Sequence, residues 1–170
     1  ELLFELKAES LSTASSTIYS NYLKDTKSTI LFIRNLFLAA TYRPHQNELL
    51  AELFKTLTSG ENTNLSNMLT NLFCKHIFIP FPESPSVPIY NLGHFRLVHY
   101  CLKNGSISTA QLFPFIRDLL VNFPEYVNYI LFIFAFFVKE IYEQDTKLYT
   151  ALHEYYHNNV SYTASQSPIR

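Results

Sequence analysis

Apolar residues recur along this chain at intervals of three and four, the spacing that lays a stripe along one side of an α-helix. Leu11, Ala14, Ile18 and Tyr22 predict a first helix ending near Lys24. Asp25-Thr26-Lys27 interrupts the pattern, and Ser28 stands where it can cap a second helix carrying Ile30, Ile33, Phe37 and Ala40 on one side. Pro44 disfavours helical geometry at Arg43 and ends it. A third helix carries Leu49, Leu50, Leu53, Phe54 and Leu57 and closes at Ser59-Gly60. Asn64 opens a fourth, with Leu65, Met68, Leu69, Leu72 and Phe73. The pattern stops over 78–88, where Pro80, Pro82, Pro85 and Pro88 exclude a helix interior.

Helical spacing resumes at Ile89 and ends at Asn104-Gly105, with Gly105 in the position of a left-handed C-cap. Ser108 and Gln111 match a capping box before Leu112, Phe115, Ile116, Leu119 and Leu120, and Pro114 should kink that helix or delay its start. Pro124 suits the first turn of a helix running through Val127, Ile130, Leu131, Phe134 and Val138 to Tyr142. Asp145 can cap a last helix with Leu148, Leu152 and Tyr156.

These elements predict an all-α fold of about seven to eight helices, arranged as antiparallel hairpins over 28–58, 89–122 and 124–158 in an α-solenoid-like array. A single helical domain is expected over 1–160 and a tail or linker over 161–170. Ile30-Leu31-Phe32-Ile33 returns as Ile130-Leu131-Phe132-Ile133, with Phe37, Tyr42 and Ala51 matched by Phe137, Tyr142 and Ala151. Either an internal repeat or two similar core helices would give this correspondence.

Composition narrows the function classes. With 48% hydrophobic and 16% charged residues in 170, the chain can bury a core. A net charge of −1 provides no field to favour nucleic acid or anionic lipid. Only three glycines occur, which argues against β-sandwiches and glycine-rich phosphate loops. The longest apolar run, Tyr129 to Val138, falls short of the roughly 20 residues that span a bilayer. Two cysteines make no disulfide framework and no basic segment precedes an apolar one at the start, so a reducing, cytoplasmic setting is expected. The opening at Glu1 suggests a fragment of a longer protein.

Few residues are spaced for chemistry. His153-Glu154-Tyr155-Tyr156-His157 fits H-E-x-x-H, in which imidazoles at i and i+4 share a helix face and can bind zinc beside a Glu base. A catalytic zinc needs a third protein ligand, and no His, Glu, Asp or Cys follows His157. Cys74-Lys75-His76 and His99-Tyr100-Cys101 hold two Cys and two His, but i and i+2 point about 200° apart on a helix and chelate badly. No nucleophile elbow and no phosphate-binding glycine motif occur. The expectation is a chain without catalytic residues, metal or cofactor that binds another protein or adjoining repeats. A zinc-dependent hydrolase using His153, Glu154 and His157 is the alternative. Phe78, Phe81 and Tyr90 in and beside the proline-rich connection are the partner-binding candidates, with folding back over a helix end as their other use.

Ile30-Leu31-Phe32-Ile33 running into Ala39-Ala40-Thr41-Tyr42-Arg43-Pro44, then Leu49-Leu50-Ala51-Glu52-Leu53-Phe54, Tyr90-Asn91-Leu92 and Leu97-Val98-His99-Tyr100, resembles the helical region that precedes ankyrin repeats in the expanded ankyrin-repeat proteins of trichomonad-type protists. That resemblance implies an interaction scaffold with the ankyrin array downstream of Arg170, since no T-P-L-H-x-A signature lies within the chain.

Overall fold

The computed structural model of the chain describes residues 2–60, 62–77, 88–122 and 127–165, with side-chain environments for all of these except 77, 88–92, 127–129 and 160–165. Eight α-helices and two short 3-10 turns make up the regular structure of the described residues, and no strand occurs among them. In chain order the helices are α1 (Leu11–Tyr22), α2 (Thr26–Tyr42), α3 (Asn47–Thr58), α4 (Thr63–Ile77), α5 (Pro88–Lys103), α6 (Thr109–Asn122), α7 (Val127–Gln144) and α8 (Thr146–Ser165). The fold is all-α, as the periodicity predicts.

Local signals account for most boundaries. Asp25, in extended backbone, caps α2 by accepting from the Ser28 N–H at 2.9 Å, so the cap lies before the predicted Ser28. Asn62, not Asn64, caps α4 through the Leu65 N–H at 3.1 Å. In both places two candidate cappers stand within three residues, and the one further upstream supplies the cap. The Ser108–Gln111 box is reciprocal: the Gln111 N–H donates to Ser108 Oγ and the Ser108 N–H to Gln111 Oε1. α6 starts there and continues through Pro114 without delay. Gly105 follows α5 at φ +79°, as a left-handed terminus requires. Asp145 caps α8 through the Leu148 N–H at 3.0 Å.

α8 continues to Ser165, past the tail expected from 161. Asn158-Asn159 reads as a stop in sequence, but the Asn159 amide donates to Tyr155 O inside the helix, and no Pro or Gly intervenes before Pro168.

The chain divides into two compact units, Glu1–Leu112 and Phe113–Arg170. The boundary falls inside α6, so the predicted 89–122 hairpin is shared between them. In the first unit α5 lies against both α2 and α3 and touches each more than α2 and α3 touch one another. Its core is aromatic, with Phe37, Phe54, Phe73 and Phe95 fully buried.

Close approach of α5 to α2 depends on Gly93, where an added Cβ would lie 2.6 Å from Ala40 O and 2.8 Å from Thr41 Cα. Two amides tie α5 to α3: buried Asn47 donates to Gly93 O at 3.1 Å, and Asn104 donates to Ala51 O at 3.0 Å. The inner face of α2 is Phe32, Ile33, Leu36, Phe37, Ala39 and Ala40. Ile30, predicted on that face, is 39% exposed.

In the second unit α7 packs along α8. Ile130, Ile133, Phe137 and Ile141 of α7 and Leu148 and Leu152 of α8 are buried. α7 departs from helical geometry at Phe137 (φ −111°, ψ 16°). Arg117 pairs with Asp145, joining the later part of α6 to the α8 cap. The two segments of matching sequence are thus built differently: α7 runs along its successor, whereas α2 is held mainly by α5.

Candidate functional site

Phe78 and Phe81 lie outside the described residues, and Tyr90 is placed only as backbone in the first turn of α5. The other predicted constellations fall on described helices.

Cys74 on α4 and Cys101 on α5 are free thiols buried in the first unit. Burial pushes both thiols up to about 12, far from the thiolate that a nucleophile or a metal requires. His76 is half-buried, while His99 is exposed beside Tyr100. The four residues therefore do not converge, for the reason the i, i+2 spacing gives.

His94, which sequence reasoning missed, occupies the core in place of His99. It is 4% exposed, with its ring edge-on to Phe37 at 4.9 Å. His76 flanks the same phenyl ring at 5.2 Å, and Phe73 lies 4.8 Å from it. Burial pushes both imidazoles down to about 4, aided by Arg34 for His76 and by His76 for His94. They are neutral at physiological pH and serve as core aromatics. Only the position of His94 between Gly93 and Phe95, in the middle of an apolar stripe, hinted at its burial.

His153 and His157 sit on the outer face of α8, both exposed, with ring centroids 4.5 Å apart and planes at 69°. Tyr149 stacks on His153 at 5.6 Å, and Tyr156 meets His157 edge-on at 5.9 Å. Glu154 is exposed one residue round the helix. No group of three or more His, Cys, Asp or Glu comes together as a metal site among the described residues.

A cavity of about 140 Å³ lies between the N-terminal segment, α1 and α2, lined by Leu2, Phe4, Ile18, Tyr22, Phe32 and Asn35 among others. Its lining offers no carboxylate, imidazole, thiol or amine. A second surface feature is the outer side of α2, where Leu31, Asn35, Leu38 and Tyr42 follow at helical spacing with Leu31 52% and Tyr42 60% exposed. No helix among the described residues is long and apolar enough to cross a membrane.

Comparison with known proteins returns no match, whether to a family model, a curated protein or a solved structure.

Proposed function

We propose that the chain is a non-catalytic protein-interaction module, a helical scaffold that presents one helix face to another protein or to adjoining repeats of its own chain. The observation that carries this reading is the outer side of α2, an apolar stripe of Leu31, Leu38 and Tyr42 opposite a fully buried inner face. The titratable groups point the same way, because the thiols and His94 are sealed in the core and the cavity is lined without them. Free buried thiols suit a cytoplasmic, reducing setting. Resemblance of the first helices to the region before protist ankyrin repeats agrees with this reading, as does a solenoid-like role for the hairpins. The hydrolase alternative needs a third zinc ligand, and nothing among the described residues favours it.

A photo-crosslinking residue at Leu38 tests the proposal in extract of the source cells. A discrete protein adduct is expected at Leu38, lost with Leu31→Glu, and none from the same residue at Lys55 of α3. Absence of any adduct from Leu38, with a further crosslinker at Phe81 equally silent, would overturn it.

A further inference from the structure

We propose that α8 carries half of a zinc site, with His153 and His157 as two ligands and a second copy of this chain supplying the same pair. Residues at i and i+4 lie one above the other on a helix, and here both imidazoles are exposed, open to a ligand from outside. Zinc–nitrogen bonds of about 2.0–2.1 Å in tetrahedral array place two coordinated imidazole centroids about 5 Å apart. The rings stand 4.5 Å apart, close to that spacing, and chelation requires side-chain rotations that turn a nitrogen of each ring from this edge-on contact toward a common point.

Structural zinc takes four protein ligands. No third His, Cys, Asp or Glu joins this pair among the described residues, and both imidazoles are exposed, open to ligands from a second chain. A second copy related by a two-fold axis brings an identical pair and closes the tetrahedron as four nitrogens, the isologous arrangement usual in homodimers. The surroundings suit such a contact. Tyr149 and Tyr156 flank the imidazoles on the side of α8 that meets Phe134 of α7, and Tyr156, 41% exposed, would gain apolar cover from the partner helix. At about 100° per residue, Glu154 and Lys147 lie about 80° and 100° round the helix from the middle of the pair. Neither charge therefore stands at the middle of the pair. This inference is independent of the role proposed for α2.

Sedimentation of the full chain with half-molar-equivalent zinc, and again with EDTA, tests it. The expected result is a mass that doubles with zinc at one metal per two chains and returns to monomer with chelator. His157→Ala and His153→Ala, at exposed positions, should keep the native helical circular dichroism and remain monomeric with zinc. An unchanged mass overturns the proposal. So does a zinc dimer that persists in both variants, which would place the ligands elsewhere. One zinc per monomer without association, an adventitious ion only, overturns it too.

Discussion

Gly93 makes a side chain's absence the basis of a helix contact, and its substitution has a sign opposite to the usual one. In an exposed helix interior Gly→Ala gains about 1 kcal/mol of helix propensity. At Gly93 the new methyl would meet Ala40 O and Thr41 Cα, backbone that cannot swing aside. Overpacking of this kind costs about 1–3 kcal/mol, so Gly93→Ala should lower stability in urea titrations by up to about 2 kcal/mol net. Gly60, with open space around its position, is the control and should show no such loss. Asn47→Ala removes the buried donor to Gly93 O and should cost about 1–3 kcal/mol in the same titration. At this scale the sequence was legible for several residues whose chemistry is local, though not for the caps of α2 and α4, where a neighbour two or three positions upstream of Asn64 and Ser28 supplies the bond. Gly105, Ser108 with Gln111, and Asp145 do what their positions predict. Gly93 and Asn47 were not legible, because their work is done on residues more than forty positions away.

Two histidines join α4 and α5 to α2 through one phenyl ring, and this makes the first unit sensitive to acid. In the unfolded chain such imidazoles take up protons near pH 6.5, whereas in the fold both are held down to about 4. Between those values the unfolded state binds more protons, so stability is full above pH 6.5 and falls as the pH drops towards 4. For His94, the more deeply buried, the loss is on the order of 3 kcal/mol. Urea midpoints should therefore fall between pH 7 and pH 4.5, and His94→Leu should flatten the profile. An equally steep profile in that variant would assign the acid sensitivity to other groups. In the second unit, Asp145→Ala removes the α8 cap and the partner of Arg117, and should cost about 1 kcal/mol or somewhat more in thermal unfolding. Helix existence was readable from apolar spacing throughout. Helix ends were less so, as Asn158-Asn159 and Pro114 show: either can stop a helix, and here the helix runs through both.

For the whole molecule, apolar stripes predicted which residues seek a core but not which stripe meets which. Short connections suggested that α2 would pair with α3, yet α5 takes most of both. A stripe can be satisfied by any helix with a face of suitable shape, and shape depends on details such as Gly93 that carry no periodic signal. The candidate chemistry shows the same limit. His153 and His157 were found by spacing because they lie on one helix, while the His76–Phe37–His94 cluster draws on three. Burial of Cys74 and Cys101 provides a probe of the first unit as a whole. With thiols pushed up to about 12, neither should react appreciably with Ellman's reagent in the native state at pH 8, and both should react on unfolding. A fast native reaction at either thiol would show that the α4–α5 region opens without global unfolding.

The contact of Gly93 with Ala40 also bears on ancestry. Where two backbones touch, most neighbouring apolar residues can be exchanged for others of similar bulk without altering how the helices cross. Chains descended from a common ancestor could therefore drift until little of their length still aligned, yet remain bound to a small residue at 40, glycine at 93 and an amide at 47. Those three positions, rather than overall similarity, are the trace by which distant kin of this fold would be recognised.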